Sequence, residues 1–88
     1  LSLEEVSQRE LRALKIRQGL KISFVADGSP ASVAGLTSDD VIVQINYSSP
    51  KDLDEYQDIL DNLQEGSPVA FRFYRDGQAY FTTAYIEN

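Results

Sequence analysis

Residues 28–42 read GSPASVAGLTSDDVI, and this stretch decides the fold. Gly28 supplies a backbone conformation that other residues avoid, and Pro30 fixes φ at about −65°, so together they predict a tight turn. One short helical turn follows, which Gly35 can end in the left-handed region before Leu36 anchors the chain. The last residues of the stretch then enter a buried strand. The pattern therefore predicts a strand exit, a turn, a helical turn and a second strand.

The segments on either side of this stretch alternate in the way that strands do. Residues 1–6 and 20–26 place apolar and polar side chains in turn, which predicts two half-buried strands. Residues 41–46 are nearly continuous in apolar side chains, which is typical of a strand covered on both faces. Residues 47–50 follow as a loop.

The chain closes as a predicted hairpin. Residues 69–74 alternate between two faces, and residues 79–86 return as the partner strand. Asp76-Gly77 lies between them as a two-residue turn signal, because both central positions of a type I′ turn need positive φ.

Two helices are indicated besides the short turn. Ser7 followed by Glu10 forms a capping-box pattern that opens the first helix, and Gly19 ends this unit. Asp52 is the expected N-cap of the longer second helix, which Gly66 ends. One stripe of this helix recurs at i, i+3, i+7 and i+10, which predicts its core-facing side: Leu53, Tyr56, Leu60 and Leu63. These elements predict an α+β fold, a partly open barrel or sandwich of about five strands capped by two helices.

Composition excludes several classes of function. The 88 residues and a hydrophobic share of 42% support one domain with one core. The net charge of −6 disfavours nucleic acid as a partner, because phosphate binding needs positive charge. The sequence has no His and no Cys, so it offers neither a Ser-His-Asp triad nor a thiol nucleophile and is not expected to be an enzyme. No apolar run approaches the ~20 residues of a membrane span, so we expect no membrane insertion by this segment.

No metal or cofactor is expected either. The carboxylates that could suggest a cation site follow one solvated helix face rather than a looped oxygen cage: Asp52, Asp54, Glu55, Asp58 and Asp61. The aromatic residues of the closing hairpin are better explained by cross-strand packing than by base stacking, given the negative charge.

The pattern G-S-P-A-x-x-A-G-L-x-x-x-D-V-I resembles the PDZ domains of bacterial HtrA/Do-type periplasmic serine proteases. The order of elements is similar to that family's circularly permuted arrangement, in which the peptide-binding strand comes first. The resemblance implies that residues 1–88 form a single PDZ domain excised from a larger protease chain. It further implies a periplasmic or cell-envelope setting, an attached protease domain, a homo-oligomeric parent and a role in protein quality control.

Three positions depart from the family pattern. Asp39 stands where the family usually has Gly, and Asn46-Tyr47 stands where it usually has Asn-Gly. Because Tyr tolerates positive φ poorly, we expect a relaxed loop from Tyr47 to Pro50. Leu1-Ser2-Leu3 is either the family's hydrophobic-Gly-hydrophobic carboxylate loop with Ser2 in place of Gly, or only the last residue of that loop and the strand after it.

The resemblance implies a mechanism of strand addition. A ligand's C-terminal residues would lie between the first strand and the second helix, with main-chain hydrogen bonds giving affinity and side-chain pockets giving selectivity. Backbone N–H groups near Leu1, Ser2 and Leu3 would receive the terminal carboxylate. The helix face next to the core stripe would line the cleft, namely Glu55, Ile59 and Asn62. Ile59 and Leu1 would form the pocket for an apolar last side chain, and Glu55 would favour a basic residue further back.

Plainer interpretations stand beside these assignments. Leu1 and Leu3 are also explained as core residues, Ile59 as a wider apolar helix face, Glu55 as a first-turn acid and Asn62 as a solvated residue. Two other functions also remain open. One is a structural module for inter-domain contact or oligomerisation without a working peptide cleft. The other is the PDZ domain of a different processing protease.

Overall fold

The computed structural model describes residues 1–64 and 66–85. Its elements follow one another as β1 (Ser2–Glu5), α1 (Gln8–Leu14), β2 (Leu20–Phe24), α2 (Pro30–Val33), β3 (Val41–Ile45), α3 (Leu53–Asp61), β4 (Pro68–Arg75) and β5 (Gln78–Tyr85). The five strands form one antiparallel sheet in the order β1-β2-β3-β4-β5. The predicted α+β architecture is confirmed, and Ile86, predicted to continue the last strand, lies outside the described residues.

The stretch at residues 28–42 folds as its sequence predicts. Gly28 and Gly35 have φ of 75° and 90°, and α2 lies between them. Ser29 caps this helical turn, because its Oγ accepts a hydrogen bond of 3.2 Å from Ser32 N–H. Leu36 then enters the core, where it is fully buried. The turn therefore delivers the chain from the end of β2 to the start of β3.

The core lies on one face of the sheet, where β2, β3 and β4 meet. The alternating residues of these strands are buried there with the anchor of the turn: Ile22, Leu36, Ile42, Ile45, Val69, Phe71 and Phe73. In contrast, neither β1 nor α3 contains a buried residue within the described chain. Both elements rest against the core through half-buried side chains, among them Leu3 and Ile59.

Asp40 is the one buried charged residue in the described part of the chain, at 1% exposure, and its role was not foreseen from the sequence. Arg75 at the end of β4 donates to both of its carboxylate oxygens, from Nε over 2.8 Å and from Nη2 over 2.7 Å. Thr37 N–H donates to the same carboxylate over 2.9 Å, and Arg75 Nη2 also reaches Gly35 O over 2.8 Å. The hydrogen bonds that Arg75 donates to Asp40 raise the pKa of Arg75. The pair ties the turn after α2 to the closing hairpin.

The first helix begins as predicted and ends earlier. Ser7 Oγ accepts a hydrogen bond from Glu10 N–H over 3.1 Å. The Glu10 carboxylate accepts one from Lys21 Nζ over 2.6 Å. The helix ends at Leu14 because Lys15 takes a left-handed conformation, so the prediction that Gly19 ends it was wrong. Gly19 is instead a site of close approach, where an added Cβ would lie 2.7 Å from Val41 Cγ1.

The loop after β3 is tighter than expected. Ile45 and Ser48 exchange two backbone hydrogen bonds of 2.8 and 2.9 Å, which close a turn at residues 46 and 47. Asn46 carries the positive φ of 53°, which Asn tolerates well, and its Oδ1 accepts from Ala70 N–H over 3.0 Å. The predicted relaxed loop from Tyr47 was therefore wrong, because the strain falls on Asn46. Asp39 keeps positive φ, at 77°.

The core-facing side of α3 is rotated from the predicted stripe. Tyr56 and Leu63 pack against the core as predicted, whereas Leu53 is 39% exposed. Ile59 packs against the core in the position that the sequence pattern assigned to Leu60. The sequence pattern placed the apolar stripe correctly to within one neighbouring residue, and packing against the core cluster decided the final rotation.

Candidate functional site

The outer edge of β1 is a row of backbone groups that no other described strand pairs with. Ile22 directs both backbone groups toward β3, since its N–H donates to Asp40 O and its C=O accepts from Asp39 N–H, each over 2.8 Å. Leu3 lies opposite Ile22 in the antiparallel register. Because both backbone groups of Ile22 point toward β3, Ile22 and Leu3 exchange no hydrogen bonds. Leu3 therefore points its N–H and C=O away from β2. By the two-residue period of a strand, Glu5 presents its backbone groups at the same edge.

Helix α3 contacts β1. Glu5 at the end of β1 and Lys51 just before α3 line one cavity of about 200 Å³, so the end of the strand meets the start of the helix. The beginning of β1 therefore lies toward the last turn of α3. A chain added antiparallel to β1 would place its C-terminal end near Leu1 and its upstream residues near Glu5.

The two flanks of α3 differ in what they face. Glu55, Asp58 and Ile59 line a cavity of about 370 Å³ with residues 48–50, on the side of the β3–α3 connection. Asn62 lines a neighbouring cavity of about 320 Å³ on the same side. With the core side at Tyr56, Ile59 and Leu63, the opposite flank of an ideal helix carries Leu53 and Leu60.

Glu55 and Asn62 already have partners within their own helix. Asp52 Oδ1 accepts from Glu55 N–H over 2.8 Å, and Glu55 Oε1 accepts from Lys51 N–H over 3.1 Å, a helix-capping arrangement. Lys51 Nζ also lies 3.5 Å from Glu55 Oε2. Asn62 Nδ2 donates to Asp58 O over 2.8 Å. Contact of Glu55 or Asn62 with a ligand stays a prediction.

The remaining predicted residues lie on β1 and in the middle of α3. Leu1 and Ser2 are exposed, and Leu3 is half-buried against the core cluster. Ile59 both packs on that cluster and lines the cavities beside residues 48–50. The cavity that Glu55 and Ile59 line and the one that Ile59 and Asn62 line include neither Leu1 nor Leu3.

The electrostatics of this region come from surface acids and one buried phenol. Glu4 and Glu5 are exposed on β1, at the edge that presents its backbone. Burial raises the pKa of Tyr56, on the core side of α3. In the described chain no group of three or more potential ligands could hold a metal ion. The site can therefore offer backbone hydrogen bonds, apolar side chains and negative charge.

Leu53 and Leu60 belong to the apolar stripe that the helical period assigned to the core side of α3. In the structure neither residue packs against the core cluster, and the helical period places both on the flank that faces away from residues 48–50. The period alone does not say which end of a wide apolar stripe meets the core and which borders a cleft.

No helix in the described residues has the length and apolar character to cross a membrane.

Comparison with known proteins identifies a family. The model of a family described as PDZ domain matches residues 3–83. A DegP-like periplasmic serine endoprotease of Pseudomonas fulva is 31% identical over 83 residues, covering 94% of this chain and 17% of the relative. A protein of the same name from Hahella chejuensis is 23% identical over 88 residues and 19% of its own length. The chain thus spans less than a fifth of the curated relatives that it matches.

Solved structures share the fold at lower identity. The HtrA-type protease AlgW with a decapeptide superimposes with a TM-score of 0.83 at 20% identity, over 99% of this chain and 27% of that one. The HtrA3 PDZ domain bound to a phage-derived ligand, FGRWV, superimposes with a TM-score of 0.80 at 19% identity, over 97% of this chain and 79% of that one. At these identities the structures establish the fold.

Proposed function

This chain belongs to the PDZ domain family, and on that premise we propose that it binds the C-terminal segment of another polypeptide along the outer edge of β1. The observation that carries the proposal is the orientation of Leu3, which points its N–H and C=O away from β2 beside α3. A guest strand would hydrogen-bond to Leu3 and Glu5 and extend the sheet by one strand. This mechanism needs no cationic side chain, cofactor or catalytic group.

The ligand's last side chain would lie between the start of β1 and α3. Leu1 from the strand, and Leu60 from the flank of α3 that faces away from residues 48–50, would offer apolar surface there. Ile59 would form the floor, because it already packs on the core. We therefore propose an apolar last residue, with the carboxylate received by backbone N–H groups at Leu1 to Leu3.

Charge would select the upstream residues of the ligand. Glu4 and Glu5 are exposed along β1. Glu55, on the flank of α3 that borders residues 48–50, would add to this selection only if that flank faces the ligand. Lys51 partly offsets Glu55, at 3.5 Å between Nζ and Oε2. Basic or neutral upstream residues are therefore favoured over acidic ones, by the modest amount that exposed charges contribute.

We further propose that the module serves an attached HtrA-like serine protease in the periplasm or cell envelope. Relatives named as DegP-like periplasmic serine endoproteases support this, since the chain matches 17% of the length of one of them. In such an arrangement the domain would capture exposed C-termini, recruit them to the protease or regulate it, and operate within a homo-oligomeric parent.

The first experiment asks whether a free C-terminus is bound. Peptides ending in Val, Leu or Ala, each as a free acid and as a C-terminal amide, are titrated against the 88-residue chain and against its parent protein. We expect saturable binding of the free acids that amidation weakens by about tenfold or more. Equal binding of acid and amide, or no binding to either protein, would contradict the proposal and favour the structural module without a working cleft.

A second experiment asks which flank of α3 faces the ligand. Leu60→Ala is expected to weaken peptide binding by about fivefold with a small change in melting temperature, because Leu60 lies outside the core cluster. Asn62→Ala, two residues along on the other flank, is the matched control and should bind as the wild type does. The reverse result would restore Glu55, Ile59 and Asn62 as the cleft face.

A further inference from the structure

The sheet has a second open edge, at β5, and its backbone groups can be assigned. Asn46 N–H donates to Ala70 O over 2.8 Å, and Ala70 N–H donates to Asn46 Oδ1 over 3.0 Å. Both backbone groups of Ala70 therefore point away from β5. Thr83 lies opposite Ala70 in the register, so the pair exchanges no hydrogen bonds and Thr83 points its own groups to the outer edge. By the same period, the outer edge also presents the backbones of Ala79, Phe81 and Tyr85.

This edge lacks two features that keep strand edges from pairing, namely charged side chains and short length, although α2 contacts the strand. Its eight residues, QAYFTTAY, include no charged residue, proline or glycine, although a quarter of the whole chain is charged. Phe81 is 73% exposed and Tyr85 is 62% exposed. The opposite edge differs, since β1 has four residues, of which two are glutamates. Charged side chains and short length are the usual protection of an edge strand, and β5 has neither.

We propose that β5 pairs antiparallel with β5 of a second copy of this chain, about a two-fold axis centred on Thr82. In that register Phe81 faces Thr83 of the partner subunit, Ala79 faces Tyr85 of the partner subunit and Tyr80 faces Ala84 of the partner subunit. Each aromatic side chain thus meets a small one. The hydrogen-bonded pairs are Phe81 with Thr83 of the partner subunit and Ala79 with Tyr85 of the partner subunit, because the backbone groups of these residues face the outer edge.

Charge and surroundings favour a copy of the chain as the occupant. Each copy carries a net charge of −6, so most surfaces of two copies repel one another, whereas the uncharged β5 meets itself without like charges in the ladder. A groove of about 370 Å³ between α2 and the end of β5, lined by Pro30, Val33, Thr83 and Tyr85, leaves apolar space beside the edge. One added strand pair makes a small interface, so the association is weak and concentration-dependent.

Sedimentation equilibrium of the 88-residue chain, from micromolar to millimolar concentration, tests the pairing. We expect a monomer–dimer equilibrium in the wild type. The double variant Phe81→Glu with Thr83→Glu should weaken dimerisation by about tenfold or more, because glutamates then face glutamates at two places across the axis. A wild type that stays monomeric throughout, or a double variant that dimerises equally well, would overturn the proposal.

Two further variants keep the test specific to the register. Phe81→Lys with Thr83→Glu retains the net charge of −6 and places Lys opposite Glu twice, so it should dimerise more tightly than the glutamate pair. Tyr47→Glu with Ser49→Glu adds the same charge as the glutamate pair at exposed residues away from β5, and should dimerise as the wild type does. A lysine–glutamate variant no tighter than the glutamate pair would rule out the axis at Thr82. Peptide binding at β1 should be unchanged in all of them.

Discussion

Two halves of this domain differ in how many buried residues they contain. The core half, β2 to β4 with the turn that leads into β3, contains most of the buried residues and the Asp40–Arg75 ion pair. The cleft half, β1 and α3, contains none in the described chain and rests on the core through half-buried side chains. The difference indicates that stability and recognition are separated. Changes in the core half should act on unfolding, and changes in the cleft half should act on ligand binding.

The largest expected effect tests this separation with one matched pair. Phe71 is fully buried in β4, so Phe71→Ala should lower the free energy of unfolding by about 3–5 kcal/mol. Leu53, 39% exposed on α3, should lose less than about 1 kcal/mol on the same change to Ala. Urea unfolding of both variants measures the two values. Similar losses for the pair would mean that α3 is as much a part of the core as β4.

The buried ion pair should be the next most sensitive place. Asp40→Ala leaves the Arg75 guanidinium and Thr37 N–H without their acceptor, and should destabilise the fold by about 2–4 kcal/mol. Asp27→Ala, at an exposed acid on the same connection, is the control and should change stability by a few tenths of a kcal/mol. An Asp40→Ala variant as stable as this control would show that the ion pair does not stabilise the core half.

A smaller effect concerns alkaline pH at the boundary between the halves. Burial raises the pKa of Tyr56 above its ordinary value of about 10. As pH rises, the phenol of Tyr56 loses its proton in the unfolded chain before it does in the folded one. The contribution of Tyr56 to the free energy of unfolding is therefore complete below about pH 10 and is lost as pH rises through the pKa of the folded state. The hydrogen bond from Lys21 to Glu10 raises the pKa of Lys21, so its contribution to stability is likewise lost as pH rises.

Tyr56→Phe should therefore make the melting temperature fall less steeply above about pH 10. Tyr47→Phe, at a side chain that is 98% exposed, should leave the profile as it is. Calorimetry across this range provides the measurement. Parallel profiles for the wild type and Tyr56→Phe would show that this tyrosine is as well solvated in the folded chain as in the unfolded one.

The smallest expected effect is a gain in stability from a substitution in the turn before β3. Asp39 has φ of 77°, a region in which glycine is free of the Cβ penalty, so Asp39→Gly should stabilise the fold by up to about 1 kcal/mol. The gain should appear in the unfolding midpoint and leave peptide affinity unchanged. A loss of stability would indicate that the greater freedom of glycine in the unfolded chain outweighs the relieved strain.

Much of the fold was predictable because its signals are local. The turn at residues 28–42, the caps at Ser7 and Asp52 and the hairpin at Asp76-Gly77 each depend on backbone conformations that few residue types accept. The predictions that failed depend on what lies across space. Gly19 faces Val41, Asn46 bonds to Ala70, and the rotation of α3 brings Ile59 to the core in place of Leu60.

The sequence by itself determined the element order, the sheet-forming alternation, the absence of His and Cys chemistry and the likeness to PDZ domains. The first three follow from periodicity and composition, and the likeness from the motif at residues 28–42 and the order of the elements, none of which needs knowledge of distant neighbours. Only the tertiary structure decided that Asp40 is buried against Arg75, that Leu3 and Thr83 turn their backbone groups to open edges, and which flank of α3 borders residues 48–50. Each of these depends on strand register or helix rotation, which packing between remote segments selects.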